Sequence, residues 1–390
     1  MPDLTTADPF PLDPIDLLST LIGTDSVNPD LVPGAAGEAQ IGTWCADWLA
    51  ERGFEVHRLE ERPGRPSIVG VHRGTGAGRS LMLNGHLDTV GVTTYAGDPF
   101  AAEVTGGKIF GRGAFDMLGG VAAILVAAAN ASAAEPSLAG DVLVTLVADE
   151  EFGSLGTEEV LRSFRADAAI IAEPSGLELT LAHRGFAWFD LELAGLAAHG
   201  SQPERGVDAI KHAALVMAAL DGLRDRLEST PPHPTLGHGT VRVSMISGGD
   251  DAATVAAACT LTLERRMLPG QSPQQVEAEL RGLFDGLAAT VPGFRYRLNS
   301  LVARSAFEAD VAWPIVQALQ SSATRVLGQA PAHRGEPFWT DAGLILEAGI
   351  PCLVFGVDGG GAHADEEWAD VASVRELAAT LEGTLRDFCA

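Results

Sequence analysis

The sequence predicts an α/β protein with a second, smaller α+β domain inserted into it. Residues 1–183 and 305–390 alternate helix-period segments with short, almost wholly apolar β-rich runs. Continuous apolar strands of this kind belong to a sheet covered by helices on both faces. Residues 184–304 instead show alternating strands in the order β-α-β-β-α-β, the pattern of a small independent sandwich. Acids and histidines stand at the ends of the apolar runs, at the edge where open α/β sheets build their sites.

Residues 15–23 and 38–52 have helical period, the second closed by Gly53 in the position that favours a left-handed residue. Residues 67–71, 81–84, 142–147 and 168–172 read as buried strands. Residues 117–134 are the most apolar stretch, interrupted by Gly119, Gly120, Asn130 and Ser132. That length is short for a membrane span, so a buried helix is expected. In the insert, residues 186–194, 240–246, 259–265 and 294–298 are strands, and 207–227 and 273–287 are helices. Helix returns at 311–327 and 341–348, and a buried strand at 351–355. Residues 230–234 and 331–337 read as proline-rich loops.

Composition bounds the function. The chain has 390 residues, 46% hydrophobic and 20% charged, which is globular and long enough for two domains. Its net charge of -26, with Lys108 and Lys211 its only lysines, argues against a nucleic-acid partner. No basic residue precedes Arg52, so export by a secretory signal is not expected. Cys45, Cys259, Cys352 and Cys389 show no paired spacing. They read as reduced thiols of a cytoplasmic protein and not as a zinc site.

The chemistry lies in the acid and histidine set. His86 and Asp88 are two apart at a strand end and point the same way. Asp88 could hold one ring nitrogen of His86 while the other binds metal, or the pair could be an ordinary turn. Asp116 could be a ligand or the N-cap of the helix that follows. Asp149, Glu150 and Glu151 are adjacent acids that repel one another unless cations compensate them, or a solvated loop. Glu173 ends an apolar strand, and His363 follows Gly359, Gly360 and Gly361, where backbone approaches a ligand closely. Two histidines and several carboxylates so placed can hold two divalent metal ions with one carboxylate to spare.

From about Ile15 to the C-terminus, these motifs resemble the dinuclear zinc amidohydrolase and metallopeptidase family. That family includes acetylornithine deacetylase, succinyl-diaminopimelate desuccinylase, aminoacylase and carboxypeptidase G. The resemblance rests on Gly85-His86-Leu87-Asp88-Thr89, on the run from Gly111 to Gly120 around Asp116, and on Glu150-Glu151-Phe152-Gly153. It implies a zinc-peptidase-like catalytic domain with a mixed sheet between helices, and an inserted lid that also forms a homodimer. It further implies that Asp116 bridges two metals, one held with His86 and Glu173 and the other with Glu151 and His363. Glu150 would be the general base and Asp88 would aim His86. Zinc suits such a shell, with cobalt or manganese able to substitute. Two metals sharing a water lower its pKa and polarise the scissile carbonyl, and Glu150 passes the proton to the leaving amine.

The insert carries Ala198-His199-Gly200-Ser201 and Glu264-Arg265-Arg266-Met267. By resemblance His199 stabilises the oxyanion in the partner subunit's site, and Arg266 grips a substrate carboxylate. On the residues alone, His199 reads as a turn residue, and Arg265 or Arg266 as a surface strand position. The chain departs from the family's pattern in three places. Leu118 stands where a lysine is usual, Gly248-Gly249 is not followed by the usual asparagine and proline, and Ala364 replaces a proline. The spacing from His363 to Glu367 is kept, and Asp341 matches a family position while also reading as an N-cap.

The expected function is therefore amide hydrolysis of an N-acyl-amino acid, with a carboxypeptidase or dipeptidase using the same site as the alternative. A metal-binding protein without catalysis would be expected to lack Glu150 or a ligand, and all are present. Neither nucleic acid nor membrane is an expected partner.

Overall fold

The computed structural model describes residues 10, 12–134 and 136–390. The chain forms two compact units. The first takes residues up to 181 with 309–334 and 340–390, and the second takes 182–308 with 335–339.

In chain order the strands begin β1 (Glu55–Leu59), β2 (Ser67–His72), β3 (Leu81–His86), β4 (Glu103–Thr105) and β5 (Lys108–Phe110). Next come β6 (Val142–Val147), β7 (Ala168–Ile171), β8 (Leu179–His183), β9 (Gly185–Ala194) and β10 (Thr240–Gly248). β11 (Ala258–Met267), β12 (Tyr296–Arg304), β13 (Phe307–Glu308) and β14 (His333–Glu336) follow. The last are β15 (Cys352–Val354), β16 (Gly359–Gly360) and β17 (Trp368–Asp370).

The first unit is built on a mixed sheet in the order β1-β2-β6-β3-β7-β15-β8. β6, β3, β7 and β15 run parallel, and β1, β2 and β8 join antiparallel. Every residue of β3, β6 and β7 is buried, as expected for strands covered on both faces. The helix Pro14–Ile22 starts where Asp13 accepts from the Ile15 and Asp16 amides and Pro14 needs no partner for a missing N–H. The apolar stretch becomes the helix Gly119–Ala133, buried on nearly every side because it has no polar face to offer water. It packs directly on the end of β7: a Cβ at Gly120 would lie 2.2 Å from the Ala172 carbonyl oxygen. A second sheet in this unit, β16-β17-β5-β4, is small and antiparallel.

The second unit is an antiparallel sheet in the order β10-β11-β9-β12, with helices Ala209–Glu228 and Pro273–Thr290 packed on it. The alternating residues Phe189, Leu191 and Leu193 of β9 meet Leu261, Leu263, Val216, Leu220 and Phe284 in its core. Asp208 caps the first helix, and Ser272 with Gln275 forms a capping box on the second.

Several expectations need correction. β1, the β4–β5 hairpin, β8 and the helix Leu155–Ser163 are additional elements. β1 and β4 are partly or fully exposed and carry charged residues, so they lack the apolar signal of a buried strand. Residues 331–337 are not all loop, since β14 runs through them, and the strand expected at 294–298 extends as β12 to Arg304. Neither Asp116 nor Asp341 caps a helix with its side chain. Leu118 holds the N-cap position of Gly119–Ala133, and the Asp341 carboxylate turns inward to accept from Thr157 Oγ1 at 2.5 Å.

Candidate metal centre

The C-terminal ends of the parallel strands supply most of the site. His86 is the last residue of β3 and pairs in register with Val147, the last residue of β6. Asp149, Glu150 and Glu151 follow β6, and Glu173 stands just past β7. The small sheet supplies the rest: Asp116 lies on the loop after β5, and His363 on the loop between β16 and β17.

Asp116 stands between two histidine–glutamate pairs. Its Oδ1 is 3.3 Å from His86 Nε2, which lies 3.6 Å from Glu173 Oε1. Its Oδ2 is 3.4 Å from His363 Nε2, which lies 3.0 Å from Glu151 Oε2. The ligand atoms of His86, Asp116 and Glu151 fall within 4.8 Å of one another, and so do those of His86, Glu150 and Glu173. One carboxylate thus offers one oxygen to each of two neighbouring positions. The donors are imidazole nitrogens and carboxylate oxygens, a set that suits divalent cations of the zinc type. Glu151 Oε1 is buried without a hydrogen-bond partner, so the pocket leaves a ligand atom to be satisfied by such an ion.

The electrostatics agree. Burial, then the Glu173 charge, pushes the Glu150 carboxyl well above its usual range, and burial does the same to Glu173. Burial, then the Asp116 charge, pushes Glu151 up to about 7. Burial works to lower His86, but Glu173 and Asp116 outweigh it and hold it well above its usual value. Hydrogen bonds to Asp116 and Glu151 lift His363 to about 10. Burial works to raise Asp116, but the bonds from His363 and His86 hold it below the usual carboxylate range. These shifts mark a cluster of buried acids that bound cations would compensate.

Asp88 is placed differently from the sequence expectation. His86 Nδ1 meets the Asp88 main-chain oxygen at 2.8 Å, while the Asp88 carboxylate is 3.7 Å away. That carboxylate accepts from the Glu150 amide at 3.1 Å, the Glu151 amide at 3.1 Å and Asn28 Nδ2 at 2.8 Å. It therefore clamps the turn that carries both glutamates. The third acid of the run, Asp149, belongs to neither candidate ligand group. It has a positive φ of 71° and accepts from Arg65 and Asn28. Arg65 also forks onto Glu38. Asn28, Glu38 and Arg65 support the segment that carries the candidate acids, and sequence reasoning missed them. Asn28 lies 60 and 121 positions from its partners, and no local pattern marks so distant a pairing.

His199 and Arg266 belong to the second unit. His199 is exposed, and its Nδ1 accepts from the Ser201 amide at 3.2 Å and meets Ser201 Oγ at 2.7 Å. Arg266 pairs with Glu264 at 2.8 Å and lies over the Phe186 ring. Its neighbour Arg265 is fully buried and bound to Glu279, a structural role.

Known proteins resemble this chain along most of its length. The N-formyl-4-amino-5-aminomethyl-2-methylpyrimidine deformylase of Bacillus subtilis is 29% identical over 406 residues, covering 96% of this chain and 94% of that one. The acetylornithine deacetylase of Proteus mirabilis is 29% identical over 386 residues, covering 96% of each. A tripeptidase from Staphylococcus aureus shares the fold with a TM-score of 0.80 at 20% identity, covering 97% of this chain and 98% of that one. The profile of peptidase family M20/M25/M40 matches residues 82–387, which include every residue of the candidate metal centre. The chain belongs to peptidase family M20/M25/M40, and is a metal-dependent hydrolase of amide bonds.

Proposed function

We propose that this hydrolase removes the acyl group from an N-acyl-amino acid, with Glu150 as the proton carrier. The observation behind the mechanism is that Asp116 faces two histidine–glutamate pairs, while Glu150 remains beside His86 and Glu173. His86, Glu173 and Asp116 would hold one divalent cation, and His363, Glu151 and Asp116 the other, with zinc the best match to the donors. Bound there, the cations would polarise the scissile carbonyl and acidify the attacking water. Glu150 takes the proton from that water and returns it to the departing amine. Asp88 fixes the main chain on which Glu150 stands.

The second unit would serve as the lid and dimerisation domain, residues 184–304 in outline. In His199, the Ser201 amide donates to Nδ1, which leaves Nε2 as a donor suited to an oxyanion. Arg266 carries the planar guanidinium suited to a substrate carboxylate. The acyl-transfer reading is supported by two relatives named for deacylation, of an acetyl and of a formyl amine. The four cysteines are free and buried, which supports a cytoplasmic setting.

The test has two arms. N-acetyl, N-formyl and N-succinyl amino acids are assayed against dipeptides, and faster turnover of dipeptides would favour the peptidase alternative. Glu150→Ala should keep two bound metals and lose about 10²–10⁴-fold in turnover. Near-normal turnover would end the proton-carrier assignment.

A further inference from the structure

Two different scaffolds supply the metal ligands. His86, Glu151 and Glu173 come from the main sheet, whereas Asp116 and His363 come from loops of the small sheet. Those two loops are 247 positions apart in the chain (363 less 116), and something must hold them in one geometry.

Glu367 does this. Its residue is 1% exposed, and its carboxylate accepts from Arg112 Nη1 at 2.7 Å, Gly113 N at 3.1 Å, Phe115 N at 3.0 Å and Asp116 N at 2.9 Å. The last of these is the bridging ligand's own amide. Arg112, 2% exposed, spends its other arm on the Ala364 carbonyl at 2.8 Å, next to His363. The Glu367 main-chain oxygen takes Gly111 N at 3.1 Å and Tyr95 Oη at 3.2 Å. The buried pair therefore ties the loop of Asp116 to the loop of His363. Neither side chain meets a ligand carboxylate or imidazole directly.

We propose that Glu367 and Arg112 are positioning residues that set Asp116 and His363 for the cation shared with Glu151. This rests on the two-cation reading above. A carboxylate is needed because all four donors point at it. An amide in its place offers one acceptor oxygen and turns an NH2 toward Arg112 or toward the main-chain amides. The small-sheet position depends on the pair twice, through Asp116 and through His363, while the position at His86 and Glu173 depends on it only through Asp116.

The experiment is zinc titration of metal-free protein by calorimetry, with thermal melting of the same metal-free samples. In Glu367→Gln one of the two zinc equivalents should lose about 10–100-fold in affinity, more than the other. Melting controls for general loosening, because a purely structural role would lower the melting point and leave both affinities alone. Wild-type affinities in folded Glu367→Gln would overturn the proposal. If Glu367→Gln does not fold, Arg112→Lys carries the test. It keeps a charge toward Glu367 but cannot also reach Ala364, so one equivalent should fall at least threefold, and two unchanged affinities would refute the tie. A wild-type protein that binds fewer than two equivalents would instead remove the two-cation reading itself.

Discussion

Asp88→Asn separates two accounts of how the centre is aimed. One has the Asp88 carboxylate holding the His86 ring; the geometry has it holding the amides of Glu150 and Glu151. Asparagine keeps the shape and the main-chain oxygen that meets His86 Nδ1. It has one acceptor oxygen in place of two. If that oxygen serves Asn28 and the Glu151 amide, the NH2 faces the Glu150 amide, donor against donor. The partly buried Glu150 N–H then loses its charged acceptor and is left unsatisfied. That costs about 1–3 kcal/mol. Relaxation of that strain would move the turn carrying Glu150, so turnover should fall at least tenfold. The His86 position should change in zinc affinity less than about tenfold. Urea unfolding of metal-free protein, zinc titration and single-turnover kinetics read these three quantities. A large loss of zinc affinity at the His86 position with unchanged stability would refute the amide clamp and restore the carboxylate–imidazole account.

Arg65→Met should cost about 3–5 kcal/mol, because it leaves the buried Glu38 and Asp149 carboxylates without their cation. Burial already raises both acids, so the loss in urea unfolding should be smaller at pH 5, where they can protonate, than at pH 8. Metal-free wild type should itself melt lower at pH 8 than at pH 6. Folded Glu151 keeps its proton to about 7 whereas the unfolded chain releases it near 4.5, so stability falls across that window. His363, raised to about 10 from 6.5, adds stability that is complete below 6.5 and lost as pH climbs through 10, in the same direction. Saturating zinc should reverse the trend, since it replaces those protons, and a metal-free melting point that rises with pH would contradict the assignment. Gly120→Ala would drive a Cβ into the Ala172 carbonyl at 2.2 Å; we expect a loss of at least about 1–3 kcal/mol and weaker zinc binding, because Glu173 follows that carbonyl. Retained stability with unchanged zinc binding would show that the helix can retreat from β7 freely.

Much of the molecule was legible in the chain because it was local. The apolar runs at 67–71, 81–84, 142–147 and 168–172 become β2, β3, β6 and β7, since strands buried on both faces are nearly all apolar, with only a few polar residues such as Asn84 and Thr145 inside them. The helix Gly119–Ala133 was visible for the same reason. The exposed strands β1 and β4 were not, because edge strands bury too little to leave a signal.

The sequence by itself determined the types of the candidate ligand residues and the places of His86, Glu151 and Glu173 just at or past strand ends, because metal chemistry restricts which residues can serve and the α/β sheet restricts where they stand. Only the tertiary structure decided what each carboxylate does. Asp88 turns to the amides of Glu150 and Glu151, Asp149 to Arg65, and Glu367 to the amide of Asp116. The reason is physical: a buried carboxylate goes to whatever donors folding brings within reach, and those donors lie from about 60 to 250 positions away along the chain. No spacing rule records such distances.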